Sequence, residues 1–166
     1  MPQTLSIPNG DKVQGTFSRE EMGSRLARLR RYMAENDLQA VLFTSYHNIN
    51  YYSDFVYCRF GRDYGLVVTQ DNYTSVSANI DGGQPYRRNQ LGDNVVYTDW
   101  QKDNFFHAVK QLIKDGGKVG VEFDHMPLQN LEKMKAILPA AAFVDIGVPT
   151  MKMRMIKSAE EIALIK

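Results

Sequence analysis

Phe60, Gly61 and Arg62 place a large ring and a guanidinium two residues apart. In an extended loop, residues two apart point the same way, and a glycine between them lets the backbone turn sharply. The pair suits a small ligand with an apolar part and a carboxylate. An arginine can hold a carboxylate through two parallel charge-assisted hydrogen bonds, each worth about 1.5–3 kcal/mol when sheltered from water. The competing reading is an arginine on the rim of the fold, stacked on Tyr57 or Tyr64, and the pattern alone favours it. The pair ends an unusual stretch, SYHNINYYSDFVYCRFGR (residues 45–62), which holds a third of all the Phe, Tyr and Trp in the chain.

The other reactive side chains form no familiar constellation. There are three histidines, His47, His107 and His125, and no HExxH, CxxC or GxSxG string. Glu122, Asp124 and His125 stand together in EFDH. If residues 121–123 are a strand, Glu122 and Asp124 share a face and make half a metal site. A strand end running into the loop before Pro127 explains the same residues without a metal. His107 falls in a helical pattern, at its surface or edge. DGGQP (residues 81–85) is short for a phosphate loop, lacks a following helix start, and reads as a turn. Cys58 has no activating partner at short range and reads as a packed thiol.

Several elements must position these groups. Residues 1–16 read as an irregular leader. Ser18 with Glu21 three positions on forms a capping box, followed by Met22, Leu26, Leu29 and Met33 at helical spacing. Arg25, Arg28, Arg30 and Arg31 fall mostly on the other faces, as a solvated helix surface would. AVLFT (residues 40–44) is a short buried strand. HNINYYSDF is predicted to be a short helix between turns, presenting Tyr51, Tyr52 and Phe55. Strands follow over residues 64–70, 73–79 and 94–98, the first two joined by a hairpin turn. Asp103 is a candidate cap for a helix carrying Phe106, Val109, Leu112 and Ile113, ended by Gly116-Gly117. Then come the strand KVGVEF, a helix over residues 127–138 with Leu128, Leu131, Met134 and Leu138 on one side, and the strand AAFVDI. The pattern predicts an α/β fold with a mixed sheet flanked by helices.

At 166 residues the chain fits a single domain, large enough to bury about 70% of its unfolded surface without staples. A net charge of +1 offers no field for a dedicated nucleic-acid or membrane-surface binder, and no apolar run approaches spanning length. One cysteine cannot form an internal disulfide, which fits a reducing, cytoplasmic compartment. Near the end, Ser158 and Glu161 make a second capping box before Ile162, Leu164 and Ile165. Isolated helices shorter than about 12 residues are marginal in water. The expectation is therefore a domain over residues 1–156, with residues 157–166 starting the first helix of a further domain.

The strings TSYHNINYYSDF, FGR, SANIDGGQP, VYTDWQ and MRMIKSAEE together resemble the creatinases (creatine amidinohydrolases), members of the wider creatinase, prolidase and proline-cleaving aminopeptidase family. The likeness covers nearly the whole chain. It implies the N-terminal domain of that family, ribonuclease-H-like in outline, ahead of a pita-bread catalytic domain. It also implies a homodimer in which this domain closes over the partner's active site. There the FGR match gives Phe60 a wall of the pocket and Arg62 the substrate carboxylate. The substrate implied is creatine, hydrolysed to sarcosine and urea by water attack on the amidine carbon with a histidine as general acid and base. That histidine and the glutamates lie in the other domain, so this chain alone would be inactive. No metal or other cofactor is implied. Arg59 adds a second cation beside the site. Two alternatives stand: the same domain from a metal-dependent Xaa-Pro dipeptidase or aminopeptidase, and a stand-alone binding domain without chemistry.

Overall fold

A computed structural model of the protein describes residues 4–8, 10–56 and 61–166, the side chain of Trp100 excepted. Along the chain run β1 (Thr4–Leu5), α1 (Arg19–Glu35), β2 (Leu38–Phe43), α2 (Tyr46–Ser53), β3 (Gly65–Thr69) and β4 (Tyr73–Ala78). They are followed by α3 (Gln84–Arg88), β5 (Asp93–Tyr97), α4 (Asn104–Leu112), β6 (Lys118–Val121), α5 (Leu128–Ile137), β7 (Ala142–Asp145), α6 (Gly147–Met155) and α7 (Ala159–Ile165). The strands form one seven-stranded sheet in the order β1-β5-β4-β3-β2-β6-β7. Pairs β1/β5, β2/β3 and β3/β4 are antiparallel, while β4/β5, β2/β6 and β6/β7 are parallel. The sheet is mixed, as the pattern predicts.

Strand periodicity sorts the core onto two faces. In β2, Ala40 and Leu42 point toward Phe105, Phe106, Val109 and Met134 of α4 and α5. Val41 and Phe43 point the other way, toward Leu26, Leu29 and Met33 of α1 and Ile49, Tyr51 and Tyr52 of α2. Both faces are covered, which explains why the strand reads as a continuous apolar run. Tyr52 stacks on Phe43 with ring centroids 4.9 Å apart, fixing α2 against the sheet. Among the described residues, no helix is long and apolar enough to cross a membrane.

The structure corrects several expectations. The leader contributes a strand, Thr4 and Leu5 pairing with Tyr97 and Val96. Arg25 is 2% exposed rather than solvated. Its guanidinium lies over the rings of Phe17 and Tyr51, and its Nε donates to Glu21 at 2.7 Å, so ring faces and a carboxylate replace water. Leu128 is 82% exposed. It is the first residue of α5, and helical side chains lean toward the N-terminus, which carries it off the end of the packed face. Asp103 does not cap α4 with its side chain. Its carboxylate instead accepts from Lys133 at 2.5 Å. The alternating MKMRM segment lies in α6, and a helix, α3, follows the Gly82-Gly83 turn.

Candidate functional site

Arg62 lies in the connection from α2 to β3, three residues before the strand begins. Because β3 is antiparallel to β4 and β4 is parallel to β5, the start of β3 lies at the end of the sheet where its neighbour β4, and β5 beyond it, have their carboxyl ends. Ligands of open α/β sheets bind at such carboxyl ends. Here Arg62, half-buried, lines a cavity of about 450 Å³ with Asn79, Tyr97, Thr98 and Asp99. Gly61 supplies a backbone turn at φ 75°, a conformation that side-chain-bearing residues rarely adopt. Phe60, Arg59, Cys58 and Tyr57 lie outside the described residues, so the joint direction of Phe60 and Arg62, the packing of the thiol and stacking on Tyr57 are not described. Tyr64 packs its ring against Phe55 at 5.6 Å.

The residues around Arg62 carry charge and hydrogen bonds. Asp63 accepts at its carbonyl from the Tyr97 hydroxyl at 2.7 Å, and at its carboxylate from Asn130 of α5 at 3.1 Å. Burial pushes the Asp81 carboxyl above the usual range, while the Arg62 guanidinium pulls it back, so the two share one electrostatic field. Burial likewise pushes the Tyr97 hydroxyl well up, with the Asp63 charge adding to it, so Tyr97 stays a neutral donor.

A second cavity, of about 550 Å³, shares Ile80 of the 3₁₀ turn Asn79–Asp81 with the first. It is lined by Thr16, Asp54, Tyr64, Asp81 and Arg88 among others. The Asp54 carboxylate accepts from the Thr16 N–H and ties the leader to the end of α2. Arg88 was not singled out by spacing. Its signal is the pair of arginines directly after QPY, which the turn reading of DGGQP hides.

The EFDH string resolves into structural work. Strand β6 stops at Val121, so the alternation that would have aligned Glu122 with Asp124 ends before them. Glu122 is 2% exposed, and its carboxylate accepts from the Thr44 N–H at 2.8 Å, the Ser45 N–H at 2.9 Å, the Ser45 hydroxyl and the Asn48 amide. A buried carboxylate thus sits at the N-terminus of α2, where helix N–H groups and dipole favour a negative charge. Asp124, His125, His47 and His107 are exposed. Among the described residues no three His, Cys, Asp or Glu side chains gather as metal ligands would.

The family model described as the Creatinase/Prolidase N-terminal domain matches residues 25–156. The chain belongs to that family. A creatinase from Bacillus sp. (strain B-0618) is 54% identical over 171 residues, covering 100% of this chain and 41% of the relative. This creatinase/prolidase N-terminal domain therefore spans less than half the length of that relative. Its fold also matches a proline dipeptidase from Streptococcus pneumoniae, with a TM-score of 0.71 at 21% identity over 80% of this chain and 98% of the other. A recombinant prolidase from Thermococcus sibiricus gives a TM-score of 0.72 at 18% identity, over 86% of this chain and 39% of that one. Likenesses at this identity speak for the fold alone.

Proposed function

We propose that this chain is the N-terminal domain of a creatinase that hydrolyses creatine to sarcosine and urea, and that it lends Arg62 and Phe60 to the partner subunit's active site in a homodimer. One observation carries the reading: 54% identity to a creatinase across the whole chain, against 21% and 18% for the two peptidases that share the fold. The position of Arg62 supports it. A half-buried guanidinium at the carboxyl ends of β4 and β5 is sheltered enough for a charge-assisted grip on the creatine carboxylate to survive competition from water. The amidine end of creatine is cationic and calls for carboxylates from the catalytic domain. Phe60 enters through the FGR string. A cytoplasmic enzyme accords with a single cysteine.

Urea release from creatine by the full-length protein tests the reading. Turnover of creatine with none of an Xaa-Pro dipeptide is the expected result. Dipeptide cleavage without urea would place the protein with the peptidases.

A further inference from the structure

We infer that Tyr97 and Asn130 are positioning residues for Arg62: they fix the residue that follows it, and thereby the direction of its guanidinium. The inference rests on the reading of Arg62 as the carboxylate clamp.

Residue 63 is held at two atoms by two different elements. The Tyr97 hydroxyl, at the end of β5, donates to the Asp63 carbonyl at 2.7 Å. The Asn130 amide, in α5, donates to the Asp63 carboxylate at 3.1 Å. Fixing the carbonyl sets the peptide plane between residues 63 and 64, and fixing the carboxylate sets the side-chain direction. Together they define the backbone on the C-terminal side of Arg62, from which its side chain departs.

The anchors are themselves rigid. Tyr97 is 1% exposed, and its ring meets Phe105 edge-on at 5.8 Å. Phe105 meets Phe106 edge-on at 5.2 Å, so the hydroxyl is placed by an aromatic stack rooted in α4. Asn130 belongs to a helix whose Met134 is fully buried in the same core. On the other side of Arg62 stands Gly61, exposed, at φ 75°, a backbone conformation that residues with side chains rarely adopt. That side turns the chain, and the Asp63 side orients it.

Such an anchor acts on function without touching substrate. A clamp that is already aimed does not lose freedom on binding, and that saving appears as affinity. A misplacement of about 1 Å at a distance from the chemistry can cost up to a hundredfold. Tyr97 and Arg62 also line the same cavity, and the Arg62 charge acts on the Tyr97 hydroxyl.

The test is a double-mutant cycle in the full-length protein with creatine as substrate. Tyr97→Phe removes the hydroxyl and keeps the ring. It is expected to raise KM about threefold to tenfold, the equivalent of one lost hydrogen bond, with kcat changed less than about twofold. Asn130→Ala, on a half-buried helix position, is expected to raise KM about twofold to fourfold. It keeps the test available if Tyr97→Phe does not fold. In an Arg62→Ala background neither substitution should raise KM further, because the group they aim is gone. KM effects that multiply independently of Arg62 would overturn this inference and leave the clamp standing. An unchanged KM in Arg62→Ala alone would overturn the clamp and this inference with it.

Discussion

Glu160 grips the N-cap of α1 from the far end of the chain. Its carboxylate accepts from the Ser18 N–H at 2.9 Å and from the Ser18 hydroxyl at 2.5 Å. The same hydroxyl accepts from the Glu21 N–H at 3.0 Å, as an N-cap should. The return arm of the capping box, which the spacing assigns to Glu21, is supplied by Glu160 instead. Glu21 turns to Arg25 at 2.7 Å, and Arg25 reaches Glu161 at 3.3 Å. Two adjacent carboxylates of α7 thus hold the first turns of α1.

That clasp is sensitive to acid. The hydrogen bonds from Ser18, side chain first and backbone second, hold the Glu160 carboxyl below its usual value of 4.5. A carboxyl lower in the folded than in the unfolded state stabilises the fold above the unfolded value. The contribution fades as pH falls through the folded value. Glu160→Gln is therefore expected to be less stable than wild type near neutral pH, with the difference closing well below 4.5. Urea titrations of both proteins across that range check it, and a difference that persists in acid would remove the charge from the account.

Arg25 is the buried counterpart of the clasp. At 2% exposure it pairs with Glu21 and Glu161 and donates to the Tyr51 carbonyl at 2.9 Å. Removing it leaves carboxylates without their partner, a change that costs about 3–5 kcal/mol at buried sites. Arg25→Ala is expected to lose stability on that scale in denaturant unfolding, whereas Arg31→Ala, on an exposed face, should stay within about 0.5 kcal/mol of wild type.

Glu122 and Asp124 should part company in the same way. Glu122→Gln turns two amide hydrogens toward a pocket made of donors, and is expected to cost about 1.5–3 kcal/mol. Asp124→Asn, at an exposed position, should change stability by no more than about 0.5 kcal/mol. Equal effects would mean that the two carboxylates form one site.

Much of this was legible in the sequence because it depends on near neighbours. Met22, Leu26, Leu29 and Met33 announce the buried face of α1, and all four are buried. The second capping box is complete, Ser158 and Glu161 each bonding the other's backbone. What stayed hidden depends on distant partners. Burial of Arg25 requires Tyr51 and Glu161, and nothing local to α1 reveals them. Glu122 looks like half a metal site until Thr44, Ser45 and Asn48 come to meet it. In MKMRM, methionine and cation alternate with the period of a strand. The segment is nevertheless α6, in which Thr150 is buried and its hydroxyl bonds back to the Ile146 carbonyl at 2.8 Å. The site was half legible. The FGR string points to Arg62, but the neighbours that shape its cavity, Asn79, Tyr97 and Asp99, come from two other loops and a strand end.

The most direct test of the central claim is the creatine KM of the full-length protein, measured by urea release, in wild type and Arg62→Ala. A guanidinium that holds the substrate carboxylate through two charge-assisted bonds contributes about 1.5–3 kcal/mol or more, so Arg62→Ala is expected to raise KM by at least about tenfold. A creatine KM unchanged by the substitution would contradict the account.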